Sequence, residues 1–170
     1  MSKSAESNFA GRLVRRLGAA SVLIDAATGE TIPAEELPER IAGTAAGFLS
    51  AGLQPGDRIL ISCSLNPGST IAYLGAMYAG LVPIPLEDRT FSVSGESLYV
   101  RTRAKAVWTG EGIRCDWPKK LAARYFIGGF KAAAAGLLPP VSSSETDLAA
   151  LMPTSGSTGV PRWCGLVTGI

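Results

Sequence analysis

The sequence predicts an α/β fold, a parallel sheet with flanking helices, and three observations carry that expectation. Residues 58–63 form a β-branched run of strand length, residues 69–79 continue as helix, and residues 82–86 read as the next strand. Strand, helix and strand in that order describe a right-handed crossover between parallel strands. Upstream, Leu37, Ile41, Ala45, Phe48 and Leu49 fall on one helical face within 35–51. Finally, 46% hydrophobic residues against 18% charged, in a chain of 170, suit one packed core rather than a disordered chain.

Taken in order, the elements justify themselves locally. Phe9, Leu13 and Leu17 recur at helical spacing and suggest a docking helix, which Glu6 and the shortness of the segment favour over a transit peptide. Residues 22–25 are a short apolar strand, Thr28-Gly29-Glu30 a turn, and Thr31-Ile32 its return as a hairpin. Gly52 stands where the 35–51 helix should end, and Gln54-Pro55-Gly56-Asp57 is a turn into the first buried strand. Asn66-Pro67 offers a helix cap followed by proline at the first helical position, where a missing N–H is harmless. Residues 105–108, 125–127 and 148–152 are further strands, while no element is assigned between Leu86 and Lys105. Residues 131–136 are alanine-rich, and 139–146 read as a surface connection with Ser142-Ser143-Ser144 as flexible linker.

Composition removes whole function classes. With no histidine, Ser-His-Asp and Cys-His nucleophile pairs and histidine metal sites are excluded. Cys63, Cys115 and Cys164 are widely separated and odd in number, so they read as reduced thiols of a cytoplasmic protein, with no metal site expected. A net charge of +2 from interspersed charges gives no nucleic-acid footprint. The uncharged stretch 65–86 approaches the length of a membrane span, but its prolines and glycines make it buried helix plus strand, and no membrane span is expected.

One stretch carries chemistry. The strand ending at Met152 runs into Pro153-Thr154-Ser155-Gly156-Ser157-Thr158-Gly159-Val160-Pro161-Arg162. Glycines let backbone N–H groups turn onto an anion without a Cβ in the way, hydroxyls add donors, and arginine adds charge. Taken as composition alone, the same residues also suit a flexible linker. The glycine spacing, with no Gly-Lys-Ser/Thr after it, is not that of an ordinary P-loop.

Residues 154–162 closely resemble the TSGSTGxPK phosphate loop of the adenylate-forming enzymes, the acyl-CoA synthetase and fatty-acyl-AMP ligase superfamily. Asp147-Leu148-Ala149-Ala150-Leu151-Met152 resembles the strand that leads into that loop. Gly52-Leu53-Gln54-Pro55-Gly56-Asp57-Arg58-Ile59 is similar to the family's turn after its first long helix. The run from Gly75 to Pro85 is similar to its helix-to-strand segment, so the likeness spans residues 22–162. It implies residues 1–170 as a partial AMP-binding domain, an incomplete N-terminal subdomain that ends just after the phosphate loop.

The implied reaction uses ATP with Mg2+ to convert a carboxylic acid substrate into an acyl-adenylate and pyrophosphate. The acyl group then passes to a thiol acceptor, coenzyme A or a carrier protein. Thr154, Ser155, Gly156, Ser157, Thr158, Gly159 and Arg162 would hold the β- and γ-phosphates. The catalytic residues are not among those matched. Tyr78-Ala79-Gly80 points to acyl-activating rather than amino-acid-activating members.

This sequence has Arg162 where the family has lysine, Trp163-Cys164 where it has Gly-Val, and no histidine-led helix after residue 164. The groups that hold adenine, ribose, magnesium and the acyl chain, and the catalytic lysine, are not matched here. The polypeptide is therefore expected to be inactive alone and to expose an apolar sheet edge that leaves it unstable. The alternatives are a non-catalytic remnant that binds a full-length ligase, and an unrelated phosphate-binding domain.

Overall fold

The computed structural model describes residues 7–64, 66–113, 115–130, 138–154 and 162–168. In chain order these form α1 (Phe9–Arg16), β1 (Val22–Ile24), β2 (Thr31–Pro33), α2 (Leu37–Ser50), β3 (Arg58–Ser62), α3 (Pro67–Tyr78) and β4 (Val82–Leu86). There follow α4 (Asp88–Thr102), β5 (Ala106–Thr109), α5 (Trp117–Lys120), β6 (Arg124–Ile127), β7 (Leu148–Thr154) and β8 (Arg162–Val167). The fold is α/β.

The central sheet has the order β4-β3-β5-β6, and every pairing in it is parallel. Side chains alternate across it as the pleat requires. Ile59, Ile61, Ala106 and Trp108 join the core that α1, α2 and α3 cover. Leu60, Ile84 and Val107 join a second core with Phe91 and Leu98 of α4 and Trp117 of α5. Because both faces are covered, the strands read as continuous apolar runs, which is why the sequence betrayed them.

Local rules account for the element ends. Asn66 Oδ1 accepts from the Ser69 N–H at 2.9 Å and Pro67 takes the first helical position, so the expected cap of α3 is present. At the end of α2, Gly52 takes φ +83° and donates its N–H to Leu49 O at 2.9 Å. β1 and β2 form the expected antiparallel hairpin, with the Asp25 carboxylate accepting from Ala27 and Thr28 N–H in its turn. Within the 65–86 stretch the described residues are α3 and β4, both largely buried, and no helix among the described residues is long and apolar enough to cross a membrane.

Four expectations need correction. The docking face of α1 is not Phe9–Leu13–Leu17: Ala10 and Gly11 are the buried residues, Val14 and Leu17 pack beside them, and Phe9 is 42% exposed. Between β4 and β5, where no element was assigned, lies α4, and its buried face consists of Phe91, Gly95, Leu98 and Thr102. Half of that face is glycine and threonine, so apolar periodicity could not reveal it. Ser142-Ser143-Ser144 is not a flexible linker: Ser143 and Ser144 are each only 6% exposed, and the Val141 N–H donates to Tyr78 O at 2.9 Å.

The fourth correction concerns the sheet edge. β7 and β8 form a separate antiparallel pair that packs alongside β4 without joining its ladder. Val82 N–H points to β3, donating to Asp57 O at 2.9 Å, so alternate amides at positions 83 and 85 face outward. Both are proline. The edge expected to lie open is, on the β4 side, stripped of donors and covered by the hairpin.

Candidate functional site

The β7–β8 hairpin presents its tip as the candidate site. Its register pairs Leu151 with Gly165, Met152 with Cys164, Pro153 with Trp163 and Thr154 with Arg162. Thr154 and Arg162, the first and last of the sequence-predicted site residues, are thus cross-strand partners at the open end of a strand pair. Ser155, Gly156, Ser157, Thr158 and Gly159 lie outside the described residues. What the structure brings together is therefore the two ends of the loop. Trp163, next to Arg162, packs against the α4–α5 core, which anchors the outgoing strand one residue beyond the loop.

At its other end the hairpin is fastened by polar contacts that sequence reading missed. The Asp147 carboxylate accepts from Ser144 N–H at 3.0 Å and Ser144 Oγ at 2.7 Å. Thr168 N–H donates to Asp147 O at 3.1 Å, and the Thr168 hydroxyl donates to Ser144 O. Arg12 Nη2 reaches across from α1 to Thr168 O at 2.8 Å. Both strands are thereby tied to the same small knot.

A second polar group stands at the carboxyl edge of the parallel sheet. There β3 ends beside β5, and the chain leaves β3 for β4 on one side and returns to β5 on the other, the topology at which α/β sheets open a crevice. Ser62 Oγ donates to Asp88 Oδ1 at 2.5 Å and Ser64 Oγ to Asp88 Oδ2 at 2.7 Å. Burial, aided by the Asp88 charge, pushes the Cys63 thiol up to about 11, so Cys63 stays protonated and unreactive at neutral pH. Burial also raises Cys115, beside the Tyr125 hydroxyl that bonds Thr109 Oγ1 at 3.1 Å.

Electrostatics separates the two places. A groove of about 920 Å³ opens beside the start of α3, and Asp25, Glu30, Glu36 and Glu39 line it with Arg40. Arg40 already donates to Glu36 at 2.7 Å, so the groove repels phosphate. The hairpin tip has, by sequence, hydroxyls, glycines and an arginine with no carboxylate among 154–162. Its donor set fits a phosphate anion and does not fit a metal ion. Among the described residues no group of three or more acidic or cysteine side chains could hold one.

Comparison with known proteins agrees with this geometry. The family model described as AMP-binding enzyme matches residues 12–166. 4-Coumarate–CoA ligase 1 of Petroselinum crispum is 27% identical over 177 residues, covering 92% of this chain and 32% of that ligase. Pyochelin synthetase PchE of Pseudomonas aeruginosa is 30% identical over 127 residues, covering 75% of this chain and 8% of that synthetase. The ATP-bound crystal structure of MatB from Rhodopseudomonas palustris superposes with a TM-score of 0.79 at 25% identity, covering 95% of this chain and 35% of that one. The chain spans about a third or less of the length of these relatives.

Proposed function

The chain belongs to the AMP-binding enzyme family, and from that membership we propose that residues 1–170 supply the phosphate-gripping N-terminal part of a ligase that activates a carboxylic acid with ATP. The observation that carries the proposal is the pairing of Thr154 with Arg162 at the tip of the β7–β8 hairpin. It closes a loop of hydroxyls and glycines on itself, and Arg162 stands at its exit.

In the proposed reaction a carboxylate oxygen bonds to the α-phosphorus of ATP. The bond from that phosphorus to the oxygen bridging it to the β-phosphorus breaks, and pyrophosphate leaves. Charge moves onto the leaving group, and donors fixed around it lower the barrier. Thr154, Ser155, Ser157 and Thr158 hydroxyls, the backbone N–H groups of Gly156 and Gly159, and the Arg162 guanidinium are that donor set. Arginine binds phosphate through a planar fork, so it can stand where relatives carry lysine. Magnesium, which the family resemblance implies, would share the charge on the leaving pyrophosphate; among the described residues no acidic or cysteine cluster would hold it. The sulfur of a thiol, coenzyme A or a carrier protein, would then bond to the acyl carbon as its bond to the AMP oxygen breaks, AMP leaving and the thiol proton passing to solvent. Tyr78-Ala79-Gly80 and the coumarate–CoA ligase among the relatives favour an acyl rather than an amino-acid substrate.

Residues 1–170 alone are expected to bind MgATP more weakly than ~1 mM, about −4 kcal/mol, because one loop grips only the phosphates. They are also expected to form no acyl-adenylate. Calorimetric titration with MgATP and an assay for carboxylate-dependent pyrophosphate release check both points. Adenylate formation by the polypeptide alone would refute its incompleteness, and micromolar nucleotide binding would favour a self-sufficient phosphate-binding domain.

A further inference from the structure

The β7–β8 hairpin is seated by side-chain packing rather than by a backbone ladder to its neighbours. No backbone ladder joins it to the parallel sheet, because Pro83 and Pro85 leave the facing edge of β4 without donors. Nor is its base tightly packed: a cavity of about 330 Å³, lined by Asn8, Phe9, Met77, Leu81, Leu148 and Thr168 among others, separates it from α1 and α3. Packing of Ala149, Ala150, Leu151 and Trp163 seats the body of the hairpin, and polar contacts hold its base.

Asn8 and Arg12 of the N-terminal segment reach it from the side. Asn8 is 2% exposed, and its Nδ2 donates to Met77 O at 2.9 Å, Tyr78 O at 3.3 Å and Val141 O at 3.1 Å. Its Oδ1 accepts from Gly11 N–H at 3.0 Å and so caps α1. One side chain thus joins α1, two carbonyls at the end of α3, and the segment that leads toward β7; Met77 O also accepts from Gly80 N–H and Tyr78 O from Val141 N–H. One turn along α1, Arg12 Nη2 donates to Thr168 O at 2.8 Å at the exit of β8. The connection that leads to β7 and the residue that follows β8 are both held from α1, with the length of β7, about 20 Å, between them and the loop.

We propose that Asn8 and Arg12 are positioning residues for the phosphate loop: α1 clamps the β7–β8 hairpin at its base and thereby sets where the Thr154–Arg162 tip stands against the parallel sheet. The proposal rests on the reading of 154–162 as a phosphate loop. The clamp works by hydrogen bonds to backbone carbonyls, so donor chemistry matters at both residues. Asp at position 8 would turn donors into acceptors facing three carbonyls, with little change in volume.

The test is hydrogen–deuterium exchange on the 170-residue protein and its Asn8→Asp, Arg12→Ala and Arg12→Lys variants, followed by mass spectrometry of peptides. Exchange in 148–154 and 162–168 is expected to rise about ten-fold in Asn8→Asp and Arg12→Ala. Peptides covering 58–62 and 106–109 should stay at the unsubstituted rate, and Arg12→Lys, which keeps a donor, should recover most of the protection. Equal acceleration in both sheets would reduce the two residues to general stability and overturn the clamp. Should Asn8→Asp fail to fold, unchanged hairpin exchange in folded Arg12→Ala overturns it equally. Pyrophosphate affinity, read on the same variants, should fall with hairpin protection. An exchange contrast without any pyrophosphate response in the unsubstituted protein would keep the clamp and sink the phosphate reading.

Discussion

Arg162 leaves the candidate loop as the cross-strand partner of Thr154, and in the proposed function its guanidinium holds the anion. Replacing it with alanine removes a charge-assisted fork and is expected to weaken pyrophosphate binding about ten-fold, ~1.4 kcal/mol, with Arg162→Lys losing less. Titration of both variants checks this. The thiols give a second residue-level expectation. Cys164 is exposed, whereas burial and the Asp88 charge push Cys63 up to about 11. A raised thiol pKa means less thiolate at any lower pH, so iodoacetamide at neutral pH should modify Cys164 first and leave Cys63 until the solution approaches pH 11. Peptide mapping of the alkylated protein would show the order. At this scale the sequence could propose the loop, because its hydroxyls, glycines and arginine are contiguous and their chemistry is local. The Ser62, Ser64 and Asp88 group was not, since Asp88 lies 26 and 24 residues from its two partners and only the crossover topology joins them.

At the scale of elements, α2 and α3 approach so closely that Gly75 has no room for a side chain. A Cβ there would sit 2.7 Å from Thr44 Cγ2 and 3.2 Å from the Ile41 carbonyl. Gly75→Ala gains ~1 kcal/mol of helix propensity but forces two helices apart, at a cost of about 1–3 kcal/mol. The backbone carbonyl cannot swing aside, so the net effect is expected to be destabilising, read as a lower urea midpoint. The strands of the parallel sheet were legible as apolar runs and α2 from periodicity, because the core side chains that mark them are large and apolar. α4 escaped because Gly95 and Thr102 occupy half of its buried face, with Gly95 needed where Trp117 presses in. α1 was found by spacing but with the wrong face, since its buried residues are the small Ala10 and Gly11 and a large residue, Phe9, stays partly in solvent.

For the molecule as a whole, Pro83 and Pro85 end the parallel sheet at β4, and the hairpin packs beside them without a ladder. Restoring donors with Pro83→Val and Pro85→Val is expected to make the β4 edge competent to pair with the hairpin that covers it, read as slower hydrogen–deuterium exchange in 148–154. The parallel pairing of β3 with β4 followed from the first crossover, which sequence spacing exposed, but the order β4-β3-β5-β6 and the separate β7–β8 pair did not. β8 passes for a tail in the sequence, and only its register with β7 shows that the loop is a hairpin tip rather than the end of the domain. That tip is where the account is most exposed to test. Titrating pyrophosphate into the isotopically labelled 17.6 kDa protein and following amide shifts by NMR would locate the anion directly. Saturable shifts confined to residues 154–162, with a dissociation constant in the millimolar range, about −4 kcal/mol, are the expected result. Shifts centred on Ser62, Ser64 and Asp88, or none at all, would contradict it.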